Sequence, residues 1–374
     1  MRFPNFCTPW KIIPISNLLQ FQNGINGSPE QYGKGVKFIS VGDILNNIYI
    51  TYDNIKGLID IDEKTLNNYS VTYGDILFQR SSEIINDIGR TNVYLDKNNI
   101  ATFGGFVIRG KRIGQYNPVF FNYLLKSPSS RKSIIRLGAG AQHYNIGQEN
   151  IKTLNFCFPD ETEQAKIAYL FSKIDERIQT QIKIISDHTS LKEGIYNLMF
   201  KENHAEFKLK ELANIVKGKQ INNDQLLSNG FYYMMNGGTS PSGYLNSYNV
   251  LENTISVSEG GNSCGYVQFN NSKFWSGGHC YTIQDVNSIL VDNKYLYHYL
   301  KYKEKELMNL RIGTGLPNIQ KKDLENFMIS VPSLLIQRKN LALLEMLDKK
   351  KCILNKELQC LERQKKYLLC NMFI

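Results

Sequence analysis

A chain of 374 residues is too long for one ordinary domain and suits two or three, each able to bury its own core. Its 44 Lys and Arg against 34 Asp and Glu leave a net charge of +10, which favours a polyanionic partner, and its 42% hydrophobic content excludes disorder throughout. No run of about 18 apolar residues occurs, and the opening "MRFPNFCTPWKIIPISNLL" lacks the apolar core of a secretion signal, so a cytoplasmic protein that neither spans a membrane nor leaves by that route is expected. The seven cysteines are scattered and never spaced as CxxC, which fits a reduced compartment without a structural zinc site; His279 beside Cys280 reads as a buried or turn residue.

Residues 1–158 carry short β-branched or aromatic runs, "VKFISV", "DILFQR", "TNVYL" and "GGFVIRG", separated by Gly, Asn and Asp turns, with a helix at "PVFFNYLLKS". Residues 159–203 follow as an amphipathic helix. Ile167, Leu170, Phe171, Ile174, Ile178, Ile182 and Ile185 recur every three or four residues, and Leu191, Ile195 and Leu198 resume after a polar gap at 187–190. Residues 204–331 repeat the mixed pattern with "YYMMNGG", "NTISVS", "GYVQF", "HCYTI" and a helix at "NKYLYHYLKY". In residues 332–374, Leu347, Leu354, Leu361 and Leu368 fall every seven residues, the spacing of a coiled-coil seam. Each long helix is expected to run about 35 residues, on the order of 50 Å.

The second half restates the first. Pro159, Gln164, Lys166, Leu170 and Asp175 stand 173 residues before Pro332, Gln337, Lys339, Leu343 and Asp348, and "LMF" at 198–200 stands opposite "NMF" at 371–373. Gly104-Gly105 precedes Gly277-Gly278 by 173, and the Gly-x-Gly segments 138–140 and 313–315 lie 175 apart. The fold expected is α+β: two globular domains, 1–158 and 204–331, alternating with two long helices, 159–203 and 332–374, that pack antiparallel by a pseudo-twofold relation. Ile174, Ile178 and Ile185 of one helix and Leu347, Leu354, Leu361 and Leu368 of the other are the expected seam.

No catalytic motif emerges. There is no GxxxxGK[ST]; "YNPVFF" resembles the Asn-Pro-Pro-aromatic site of amino-methyltransferases but has Val119 for the second proline; and "PDETEQAK" suits a helix start better than a nuclease cluster, since the second copy has Ser333 and Leu334 there.

The duplicated segments "PDETEQAKIAYLFSKIDERI" with "EGIYNLMF", and "PSLLIQRKNLALLEMLDKKK" with "LLCNMF", resemble the specificity (S) subunit of type I restriction-modification systems. "LGAGAQHYNIGQENIKTLNF" and "IGTGLPNIQKKDLENFMI" resemble the closing element of that family's target-recognition domains, and "WKIIPISNLL" and "FKLKELANIV" their openings. The resemblance covers essentially the whole chain. It implies a non-catalytic subunit in which each globular domain reads one half of a split DNA site, while the paired helices fix the gap and dock two methyltransferase (modification) subunits. S-adenosylmethionine, ATP and magnesium are then expected on partner subunits, the restriction translocase/nuclease included, and no cofactor or metal on this chain. A rod of about 50 Å between two readers reaches beyond one duplex turn of roughly 34 Å.

Base reading calls for paired donors and acceptors on loops that glycine lets approach the duplex. The candidates in the first domain are Gln79, Arg80, Ser81 and Ser82 after "DILF", and Arg136, Gln142, His143 and Tyr144 around "GAGAQHY". In the second they are Ser258, Asn262 and Ser263 after "TISV", Lys273, and Arg311, Thr314 and Asn318 around "RIGTGLPN". Two alternatives remain at this point: the recognition subunit of a fused type II restriction-methylation enzyme, and a coiled-coil scaffold that binds no DNA. A free-standing nuclease or methyltransferase lacks its motifs.

Overall fold

The computed structural model describes residues 2–140, 142–202, 204–313, 315 and 317–373. The chain forms two compact units: Met1–Ile182 together with Lys356–Ile374, and Lys183–Asn355. Two long helices, Glu161–Phe200 and Leu334–Met372, each contribute one segment to both units.

In the first unit, strands Leu19–Asn23, Val107–Arg112, Ile76–Gln79 and Thr91–Val93 lie in that order in an antiparallel sheet. Ile76 to Phe78 are all fully buried because the sheet is covered on both faces, and successive side chains alternate between them. Ile76, Phe78, Val93 and Ile108 enter a core shared with the long-helix residues Ile167 and Phe171, while Leu77 and Val107 enter a second core with Ile39 and Phe103. The second core belongs to a three-stranded sheet of Gly57–Ile59, Tyr32–Ile39 and Thr102–Phe103. The opening strand Lys11–Pro14 pairs antiparallel with Asn155–Phe158, which leads into the first long helix.

The other unit repeats this plan. Its four-stranded sheet runs Asn214–Lys217, Cys280–Gln284, Thr254–Ser258, Val267–Asn270; its three-stranded sheet is Gly243–Leu245, Tyr232–Met235, Trp275–Ser276; and Ala205–Lys208 pairs with Met328–Val331 ahead of the second long helix. The expected α+β class and its internal repeat are thus present.

Residues that recur in the sequence recur in their bonds. Gln164 donates from Nε2 to the Pro159 carbonyl (2.9 Å) and accepts the Asn117 amide on Oε1 (2.9 Å). Gln337 donates to the Pro332 and Leu290 carbonyls (2.8 and 2.9 Å) and accepts the Asp292 amide (2.8 Å). Asn117 and Asp292 are the N-caps of helices Pro118–Lys126 and Asn293–Tyr302, so in each copy the glutamine staples a long helix to a short one. This also accounts for "YNPVFF": the Asn117 side chain accepts the amides of Val119 and Phe120, and Pro118 opens the helix. Asp160 likewise accepts the Glu163 amide at the start of the long helix.

Each unit pairs one segment of each long helix. In the first, Lys365 donates to Asp175 (2.5 Å) and Gln181 to Glu357 (3.0 Å); one number rises as the other falls, so the segments are antiparallel. In the second, Lys192 bonds Asp348, which stands 173 residues after Asp175, as Lys365 stands 173 after Lys192. The helix ends match too. Phe373 packs on Phe120 and Phe171 in the first unit, at ring distances of 5.7 and 5.6 Å, and Phe200 on Tyr295 and Tyr302 in the second, at 5.5 and 5.3 Å. Of the expected seam, Ile178, Leu347 and Leu354 are buried and Ile174, Ile185, Leu361 and Leu368 half-buried. The stripe of the first helix departs from expectation at Ile182, which is exposed, and after the polar gap, where Leu191 and Leu198 are exposed and Tyr196 and Phe200 are buried with Ile195 and Met199 beside them, because the aromatic rings fill the second core.

Candidate nucleic-acid interface

In each unit two loops meet at the end of the central strand. In the first, Ile76–Gln79 runs on to Ser81–Ser82, which pairs antiparallel with Tyr144–Asn145. The Arg80 amide donates to the Phe106 carbonyl (2.9 Å), and the Arg80 carbonyl accepts the Ile146 amide (3.0 Å). Ala139 and Asn145 exchange two backbone bonds (3.0 and 2.8 Å) that close a hairpin whose tip carries Gln142 and His143, both exposed. Gly140 makes the turn at φ +137°, and a Cβ there would stand 2.0 Å from the His143 carbonyl oxygen, so only glycine fits. Arg136 is exposed where helix Pro128–Ile135 ends and the hairpin begins. Ser82 turns its hydroxyl to the Ile84 amide, while Ser81 and Tyr144 are half-buried beneath the tip.

The loop following Ser82 is pinned from below. Arg131 donates to the carbonyls of Asn86, Ile88 and Gly89, and burial holds its guanidinium down, at about 10. Gly89 in turn donates to the Gln79 carbonyl (3.0 Å).

The second unit builds the same pair of loops. The Glu259 amide donates to the His279 carbonyl (2.9 Å), and the Glu259 carbonyl accepts the Ile319 amide (2.9 Å). Ile312 and Asn318 exchange two backbone bonds (2.8 and 3.0 Å), and Gly313 turns at φ +106°. Gly261 donates to the Pro317 carbonyl (3.0 Å), tying this hairpin to the loop that carries exposed Asn262 and half-buried Ser263. Arg311 is exposed beside it, and Asn318 is half-buried with its Oδ1 accepting from Gln320.

The structure therefore brings together, within each unit, the two groups of residues that the sequence singled out separately. Three residues differ from the expectation of groups free on the surface. Gln79 is buried and donates to the Ser81 carbonyl, and Ser258 is buried and donates to the Gly237 carbonyl (2.7 Å), so both brace a loop from inside. Lys273 lies on the turn into Trp275–Ser276 of the other sheet, with its ammonium over the Tyr248 ring. Thr314 lies outside the described residues. Sequence reasoning passed over Glu259, whose backbone makes the bonds that Arg80 makes in the first unit; its adjacency to Ser258 was the available signal. Among the described residues no group of three or more His, Cys, Asp or Glu side chains converges to hold a metal ion, and no helix is long and apolar enough to cross a membrane.

Residues 201–363 match the family described as type I restriction modification DNA specificity domain. The chain is 34% identical over 121 residues to the putative type I specificity subunit S.MpnORF638P of Mycoplasma pneumoniae, an alignment spanning 32% of either chain. Over 122 residues the chain is 33% identical to S.MgeORF438P of Mycoplasma genitalium, so the matched segments span about a third of these relatives. Over 96% of the chain and 92% of the relative, it is 23% identical to the putative type I restriction enzyme MjaX specificity subunit of Methanocaldococcus jannaschii. In fold it is similar to the crystal structure of the type I restriction-modification system S subunit from M. genitalium, with a TM-score of 0.64 and 20% identity over 100% of this chain and 97% of that one. A chain solved for complex assembly and conformational transition of the type I R-M system gives a TM-score of 0.63 at 14% identity, covering 98% and 97%.

Proposed function

We propose that the chain is a specificity subunit of a type I restriction-modification system in which each of its two units reads one half of a divided DNA sequence, a reading supported by the match of residues 201–363 and by the whole-length likeness to the MjaX specificity subunit. The observation that carries this reading is the duplicated loop pair. Two hairpins with the same backbone bonds, each turned by a left-handed glycine and flanked by an exposed arginine, stand at the end of the central strand in both units. Exposed Arg136 and Arg311 suit phosphate or guanine, and the amides and hydroxyls beside them suit base edges.

On this reading the chain supplies recognition, and the long helices set the gap between half-sites and receive two methyltransferase subunits. The chemistry belongs to those partners and to the restriction subunits, with S-adenosylmethionine, ATP and magnesium. Salt titration of duplex binding by the assembled complex tests it. Steep loss of affinity with salt is expected, since neutralised phosphates release counterions. Binding indifferent to salt, or absent from a well-formed complex, favours the scaffold.

A further inference from the structure

The two loop pairs are built alike and charged oppositely at one place. Arg80 and Glu259 occupy the same backbone position, as their shared bonds to Phe106 and Ile146, and to His279 and Ile319, show. Arg80 is half-buried and gives Nη1 to the Gly105 carbonyl (3.2 Å), its one protein acceptor among the described residues. The rest of its donor fork has no acceptor among the described residues. Glu259 is 8% exposed. Its Oε1 accepts from Lys217 (2.6 Å) and from the Tyr281 hydroxyl (3.1 Å), whereas Oε2 is buried and has no donor among the described residues. The imidazole of His279, largely exposed, stands 3.9 Å from Oε2, beyond hydrogen-bond reach.

A buried carboxylate oxygen left without a donor is costly, and such groups in native proteins call for an explanation. A donor that arrives with DNA supplies one. Of the major-groove donors, the exocyclic amine of cytosine has no acceptor beside it on its own base, whereas that of adenine adjoins N7, which repels a carboxylate. Arg80, a donor fork, suits the paired acceptors O6 and N7 of guanine.

We infer that Arg80 and Glu259 set opposite base preferences at the equivalent position of the two half-sites, Arg80 taking a guanine and Glu259 Oε2 the amine of a cytosine. The inference rests on the two-reader function proposed above. In the free protein Lys217 and Tyr281 hold the carboxylate in place, and His279 is the side chain that a base displaces to reach it.

The test is a methylation map of the complete complex, the full chain with its methyltransferase subunits, for the wild type, Glu259→Gln and Arg80→Gln. Glu259→Gln is expected to lower the preference for cytosine at one position of one half-motif by on the order of tenfold to a hundredfold and leave the other half unchanged. Arg80→Gln is expected to do the converse at a guanine. A divided motif that Glu259→Gln leaves intact in both halves overturns the inference while the two-reader function stands. A wild-type motif that is continuous overturns both. The wild type alone also decides the matter if a variant does not fold, because a divided motif with no obligatory C·G pair in either half contradicts the assignment.

Discussion

Single side chains carry both the anchoring of the helices and the expected contacts with DNA. Gln164 satisfies the Pro159 carbonyl and the Asn117 amide in a buried place, so Gln164→Ala leaves both unpaired and is expected to cost about 2–4 kcal/mol in urea unfolding. The repetition of Gln164 and Gln337 was legible in the sequence, but its purpose was not, because the partners Asn117 and Asp292 lie 47 and 45 residues away and only the folded chain brings them close. His298 offers a pH prediction. Burial, and next to it the charge of Lys192, hold its imidazole down, at about 4, with Tyr196 as its hydrogen-bond partner. Since the unfolded imidazole titrates near 6.5, the unfolded state takes up more protons between about 6.5 and 4, and stability must fall with pH across that window. His298→Asn, which removes the titrating group, is expected to flatten that slope in unfolding measured from pH 7.5 to 5. At the DNA surface, Arg136→Ala and Arg311→Ala are each expected to weaken duplex binding and, where the arginine meets phosphate, to reduce the salt slope by about one.

At the scale of elements, hydrophobic spacing gave the helices and strands their places, and tertiary packing decided which faces they buried. Of the leucine heptad, Leu347 and Leu354 are buried and Leu361 and Leu368 half-buried. Beyond the polar gap of the first long helix, periodicity pointed to Leu191 and Leu198, yet the protein buries Tyr196 and Phe200, because the second core is lined by Tyr295, Tyr299 and Tyr302 and aromatic rings fill it. The matching "LMF" and "NMF" ends are therefore plugs, each seated in the core of a globular unit. Phe373→Ala and Phe200→Ala are each expected to destabilise the unit that holds the ring by about 3–5 kcal/mol, read as faster hydrogen exchange in that unit and little change in the other. Gly140 and Gly313 were legible as turn formers, but the meeting of each hairpin with its central-strand loop was not, since it joins residues more than 50 apart in sequence. Glu259 escaped notice because a carboxylate repels phosphate; beside its adjacency to Ser258, what marks it is a buried Oε2 with no donor among the described residues.

For the whole molecule, the duplication is the central fact. The equivalent ion pairs Asp175 with Lys365 and Asp348 with Lys192 show one construction used twice, and one construction used twice suits a divided target. The most direct measurement is a genome-wide map of modified bases after the chain is coexpressed with the methyltransferase subunit of its system. Two short defined half-motifs around a fixed unspecified gap are expected, and a short continuous motif, or no modification by a well-formed complex, would contradict the account.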